Sequence, residues 1–102
     1  MKYQIVWTEP ASCDLERIDR YLRRRNLGAA EKMGAGLLRR VVALETHPEL
    51  GRLYDEELGY RVLPHRGYRI FYRVKREERV IEIAHVRHGA RDNPTLDDLL
   101  TD

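Results

Sequence analysis

The chain has 102 residues, of which 42% are apolar and 35% charged, with a formal net charge of +2. That length holds one domain around a single modest core, and no apolar run approaches the roughly 18 residues of a membrane span. A single cysteine, Cys13, excludes an internal disulfide and a cysteine-rich zinc site.

The N-terminus enters a strand pattern at once: Tyr3, Ile5 and Trp7 alternate with Gln4 and Val6. It lacks the apolar stretch and small-residue cleavage site of a secretory signal, so a cytoplasmic location is expected. Thr8-Glu-Pro-Ala11 then opens a helix. Thr8 is placed to cap free amides, Glu9 suits the positive helix end, and Pro10 is tolerated in a first turn. Ala11, Leu15, Ile18 and Leu22 make one apolar helical stripe, with Tyr21 beside it. Cys13, among these apolar positions, is expected to be a small buried packing residue. Arg17, Arg20, Arg23, Arg24 and Arg25 cluster towards the helix end, where cations favour the dipole.

Asn26-Leu-Gly28 breaks the pattern, and a second helix follows with Ala30, Met33, Leu37, Val41 and Leu44 as its stripe. Pro48 marks its stop. Gly34 and Gly36 each cost about 1 kcal/mol relative to alanine inside a helix, and close helix–helix packing is expected to explain them. Two helices with a short break between them predict an antiparallel hairpin. His47 to Gly59 reads as a polar connection. Tyr60-Arg-Val-Leu63 is a short strand, and Pro64-His-Arg-Gly67 a tight turn.

Two long strands close the chain, Tyr68 to Lys75 and Val80 to Val86, joined by Arg76-Glu-Glu-Arg79. Period-two alternation directs Arg69, Phe71 and Arg73 to one face and Tyr68, Ile70, Tyr72 and Val74 to the other. The predicted order is β-α-α-β-β-β, an α+β fold. An antiparallel meander is joined by the first strand, and the helix hairpin covers one face. Residues 1–102 form one domain, with 93–102 as a C-terminal tail.

Charge is uneven along this layout. Arg61, Arg66, Arg69, Arg73, Lys75, Arg76, Arg79, Arg87 and Arg91 face only Glu77, Glu78 and Glu82 between Leu58 and Arg91. The tail is acidic, with Asp92, Asp97, Asp98 and Asp102. Such asymmetry points to an electrostatically steered partner. No metal-ligand cluster or glycine-rich phosphate loop stands out, so no metal or cofactor is expected.

The ordered motifs resemble the RelE/ParE family of toxins from bacterial type II toxin–antitoxin pairs. The resemblance rests on Tyr3-Gln-Ile-Val-Trp-Thr8, on Ala11, Asp14, Leu15, Ile18 and Tyr21, and on His47-Pro-Glu-Leu-Gly-Arg52. Tyr68-Arg-Ile-Phe-Tyr-Arg-Val74 and Val86-Arg-His-Gly-Ala-Arg91 carry it furthest. Membership implies a toxin neutralised by a cognate antitoxin that wraps it with a helix and an extended segment. Some relatives cleave messenger RNA in the ribosome; the ParE branch inhibits DNA gyrase and carries no known hydrolytic residues.

Cleavage by a 2′-hydroxyl needs a base, an acid and cations on the phosphate. The resemblance puts Arg69 at the scissile phosphate and Arg61 at a basic position of the preceding strand. His85 or His88 supplies a group that titrates near neutrality, and Tyr72 orients a base. Glu82 is a candidate base, but reads better as a solvent-facing strand residue paired with a neighbouring arginine. Val62-Leu-Pro64 is apolar where ribonuclease relatives carry lysine or glutamate, and the tail offers no further catalytic group. Gyrase inhibition requires only a binding surface, and Arg61, Arg69, Arg73, Arg87 and Arg91 suit it. The ending Val86 to Arg91 resembles ParE-like members, so this reading is preferred. Gly89 is suited to a positive φ that turns the chain out of the sheet. The antitoxin is expected along the helix hairpin, against Ile18, Leu22, Leu37 and Val41, with an added strand at a sheet edge. The basic, aromatic strands also resemble single-strand-binding surfaces. A stand-alone nucleic-acid-binding module is disfavoured, because Tyr68, Ile70 and Tyr72 are expected to face the core.

Overall fold

The computed structural model describes residues 2–89. Seven elements follow in order: β1 (Gln4–Trp7), α1 (Glu9–Arg25), α2 (Leu27–Ala43), β2 (Arg52–Asp55), β3 (Tyr60–His65), β4 (Tyr68–Lys75) and β5 (Val80–His88). One five-stranded sheet runs β1-β5-β4-β3-β2. The β2 to β5 strands are antiparallel neighbours, and β1 joins β5 in parallel. Among the described residues, no helix is long and apolar enough to cross a membrane.

Local chemistry accounts for the helix boundaries. Thr8 Oγ1 accepts from Ala11 N at 3.2 Å and caps α1. Asn26 alone separates the helices. Its N–H closes α1 on Leu22 O at 2.8 Å, and its Oδ1 accepts from Ala29 N at 3.0 Å to open α2. The break is therefore one residue, shorter than the Asn26-Leu-Gly28 expected. The α2 helix ends at Ala43, several residues before Pro48.

The two sheet faces differ. Leu63, Ile70, Tyr72, Ile81, Ile83 and Val86 meet Ala11, Leu37, Val41 and Leu44 in the main core beneath the helices. Tyr60, Val62, Phe71 and Ala84 make a smaller cluster on the other face, covered by Tyr54 and Leu58. The expected alternation of β4 holds, and Phe71 is nevertheless fully buried on the arginine face.

Four local expectations change. The connection after α2 contains β2, an edge strand with a bulge between Leu53 and Asp55. Its four residues show no alternating burial, which removes the sequence signal. The β3 strand continues through Pro64 to His65, beyond its last β2 pair at Val62, so the turn is only Arg66-Gly67. Cys13 is exposed, because two residues turn a helix by about 200° and carry it away from Ala11. Neither glycine closes the helix pair. Gly36 lies under His65, and a Cβ at Gly34 would meet nothing within 4 Å.

The loop before β2 is locked by Tyr72. Its hydroxyl donates to Pro48 O and accepts from Gly51 N, both at 2.8 Å. Burial holds this hydroxyl above the usual tyrosine range, so it remains a neutral donor. A Cβ at Gly51 would fall 2.7 Å from Val62 O and 2.9 Å from the Tyr72 oxygen. Only glycine fits there. Tyr72→Phe strands a backbone donor and an acceptor, and is expected to lower stability by about 1–3 kcal/mol. Gly51→Ala is expected to lower it at least as much. Urea unfolding midpoints at constant m-value measure both.

Candidate functional site

The edge of β5 beyond β1 is where α1 meets the sheet. The last β1 pair is Trp7↔Ile83. On the other side, β4 pairs Phe71 with His85 and then Tyr72 with Ile83, leaving Ala84 as a bulge. A bulge shifts the alternation by one residue. Ile81 and Ile83 face the helices before it, and Val86 does so after it. His85 and Arg87 thereby join the register of Phe71 and Arg69.

Asp14 of α1 and the helix's N-cap residue Thr8 hold this irregular stretch. Thr8 Oγ1 donates to Ile83 O at 2.8 Å, with Ala84 O at 3.2 Å. Asp14 Oδ2 accepts from Val86 N at 3.0 Å and lies 3.1 Å from His85 Nδ1. Asp14 and His85 are both buried. Burial alone would raise the Asp14 carboxyl. The hydrogen bonds from His85 and Val86, with the charges of Arg87 and His85, outweigh it and hold the group below its ordinary value. With Asp14 ionised, His85 Nδ1 carries the proton and donates. Arg87 Nη2 lies 3.2 Å from that same nitrogen.

The arginine face spreads from this clamp across β4. Arg69 Nε donates to Gly89 O at 3.1 Å, and its guanidinium lies 5.2 Å from the Phe71 ring centre. Arg73 lies 5.2 Å from the Tyr60 ring centre and bonds Glu82 at 3.3 Å. Lys75 reaches the other Glu82 oxygen at 3.2 Å. Glu82 is thus paired with a neighbouring arginine as expected, but at 16% side-chain exposure it is largely buried rather than solvent-facing. Gly89 takes φ +69, the left-handed turn expected of it.

The predicted residues do not all converge. Arg69, Arg73 and Arg87 share the face opposite the helices. Arg61 does not: it is paired with Tyr72 on the helix side, and its Nη1 donates to Gly51 O at 2.7 Å. His88 pairs with Tyr68, also on the helix side, with ring centres 4.9 Å apart. It therefore faces away from Arg69. Arg91 lies outside the described residues, as does the 93–102 tail. His85 reaches the Arg69 face by register, yet its Nδ1 is held by Asp14. Among the described residues no three His, Cys, Asp or Glu side chains group to hold a metal.

On the helix side, α1 and α2 leave an apolar groove of about 260 Å³. Ile18 and Leu22 line it half-buried, and Leu37 forms its floor at 1% exposure. Val41, at 2% exposure, lies in the core beyond the lining. Tyr21 and Leu38 stand exposed nearby, at 53% and 48%. Reading a single stripe missed this division, because it separates stripe residues by depth. Asp14 was also missed as a site residue. Its signal was legible: a carboxylate between Ala11 and Ile18, at helical spacing on an otherwise apolar stripe.

The comparison with protein families matches residues 5–93 to the ParE toxin of the type II toxin–antitoxin system parDE. The chain belongs to the ParE toxin family. Among solved structures, the chromosomal ParDE toxin–antitoxin system of P. aeruginosa aligns at 25% identity and a TM-score of 0.68, covering 86% of this chain and 97% of that one. The RelBE2 toxin–antitoxin complex of Mycobacterium tuberculosis aligns at 24% identity and 0.58, covering 86% and 99%. Isolated E. coli RelE aligns at 21% identity and 0.60, covering 89% and 88%. The last two likenesses concern the fold. No curated protein matches the chain. This ParE-family toxin of a type II system therefore shares the RelE/ParE fold read from its motifs.

The Asp14 clamp has a pH signature. Its folded carboxyl is depressed, so its stability contribution is complete above the unfolded value near pH 3.9 and is lost as pH falls through the folded value. Unfolding free energy measured from about pH 6 to 2 is expected to fall at the acid end. Asp14→Ala is expected to lower neutral-pH stability by about 3 kcal/mol, since it strands two buried donors, and to flatten that acid limb.

Proposed function

We propose that this ParE-family toxin inhibits DNA gyrase, gripping it through the arginine-bearing sheet face and hydrolysing no bond. The observation that carries this reading is how the acid–base candidates are used. His85 is bound to Asp14, Tyr72 is locked to Pro48 and Gly51, and Arg61 gives an N–H to Gly51 O. His88 faces away from Arg69. A cleavage site needs an acid or base within hydrogen-bond reach of the reacting oxygen, beside the phosphate-binding cation. A binding face needs only anchored guanidinium groups with aromatic support, as at Arg69 over Phe71 and Arg73 over Tyr60. The family match, which extends to residue 93, supports the same branch.

The cognate antitoxin then neutralises the toxin by laying an amphipathic helix in the α1–α2 groove. Ile18 and Leu22 are its contacts, and Leu37 is the floor. Helix-in-groove binding uses an apolar trough of this kind. The P. aeruginosa and M. tuberculosis neighbours are toxin–antitoxin assemblies.

A gyrase supercoiling assay with purified toxin tests the reading. The wild type is expected to inhibit, and Arg69→Glu to require at least ten times more toxin for equal inhibition while still binding antitoxin. Leu22→Asp is expected to weaken antitoxin binding at least tenfold and leave inhibition intact. A folded wild type that leaves gyrase active but generates new messenger RNA ends selects the endonuclease instead, with Arg69, His85 and His88 its candidates.

A further inference from the structure

The corner where α2 meets the β3–β4 turn carries charge that neither the sheet face nor the helix groove uses. Lys32, Arg39, His65 and Arg66 line a depression of about 710 Å³ there, with Glu31 its single acid. Among the described residues, Lys32, Arg39 and Arg66 have no carboxylate partner within 4 Å. Arg40, beside them, donates to Pro64 O at 3.2 Å.

Two features built this corner. Arg66 takes φ +47 and Gly67 φ +85 in the two-residue turn. The first of these positions favours Asn, Asp or Gly, so an arginine there is strained. Strain at one residue directs attention to what that side chain does. The second feature is Gly36. A Cβ there would come within 2.5 Å of His65 Nε2, so only glycine lets the imidazole lie on α2. That nitrogen is buried without a hydrogen-bond partner. The contact lays the turn against α2, where Arg39 and Arg66 line the same depression.

We propose that this corner binds the phosphodiester backbone of nucleic acid. Lys32 and Arg39 stand two turns apart on one helix, about 10 Å along its axis, so they serve successive phosphates rather than one small anion. The lining has Ala29, Ala35 and Gly36, which allow close approach, and Met33 is its one large aliphatic side chain, with the His65 imidazole its one aromatic ring. An acidic protein would find Met33 alone as a large aliphatic anchor among the cations. A polyanion tracked by cations needs none. Binding is therefore independent of sequence and steeply dependent on salt. This inference stands apart from the gyrase reading.

Fluorescence anisotropy of the purified full-length chain tests it, with labelled 20-nucleotide single-stranded DNA, single-stranded RNA and duplex DNA at several salt concentrations. The wild type is expected to bind at least one of these. Lys32→Ala, Arg39→Ala and Arg66→Asn should each weaken binding at least threefold. Each should also reduce the salt slope by about 0.7 for single strands or 0.9 for duplex. Arg66→Asn should raise the melting temperature, since asparagine suits the positive φ, so its weaker binding is not lost folding. The proposal is overturned by a wild type that binds none of the three, or by variants that bind like the wild type. A polyglutamate peptide that competes as well as an oligonucleotide of equal charge also overturns it, in favour of an acidic protein.

Discussion

Val86 N–H has no strand to bond, because β1 ends at Trp7, opposite Ile83. A buried amide without an acceptor is strongly unfavourable, and the fold meets this need from α1. Asp14 takes the Val86 amide and the His85 imidazole, while Thr8 takes the carbonyls of Ile83 and Ala84. The helix is thus sewn to the sheet at the point where the sheet loses a strand. Thr8 also caps α1, so one side chain sets where the helix begins and where it sits. The bulge at Ala84 belongs to the same arrangement. It reverses the alternation of β5, leaving Val86 in the main core and His85 and Arg87 in register with the arginines of β4.

A second lock acts at the far end of the sheet. Tyr72 projects from β4 under the helices and holds Pro48 and Gly51, while Arg61 takes the Gly51 carbonyl. These bonds bring the chain from α2 into β2. They also bury the Tyr72 hydroxyl and tie one edge of the half-buried Arg61 guanidinium to the loop. Tyr72 and Arg61 thus satisfy the backbone of an irregular loop. The arginine face is what remains: guanidinium groups supported by Phe71, Tyr60 and Glu82.

Much of this was legible in the sequence because it rests on local rules. Alternation in Tyr68 to Lys75 fixed the faces of β4, and the Thr8 cap placed α1. Ordered motifs carried the family. What escaped depended on contacts between distant segments. The β2 strand has no amphipathic pattern of its own and exists because β3 offers it an edge. The bulge at Ala84 leaves no mark in composition, so the sequence does not show that His88 and Arg69 face opposite sides. Leu37 and Val41 lie on the same stripe as residues that line the groove, and only depth separates them. The roles of Gly36 and Gly51 are set by His65, and by Val62 and Tyr72, far away in the chain.

The proposed mode of action is that this toxin stops cells by holding a protein through its arginine face, without cleaving RNA. Pulse labelling of DNA and protein synthesis in one culture, after induction of the chain, tests that claim most directly. DNA synthesis is expected to stop first, with DNA breaks and filamentous cells, while protein synthesis continues. Protein synthesis stopping first, with new messenger RNA ends inside codons, would contradict it.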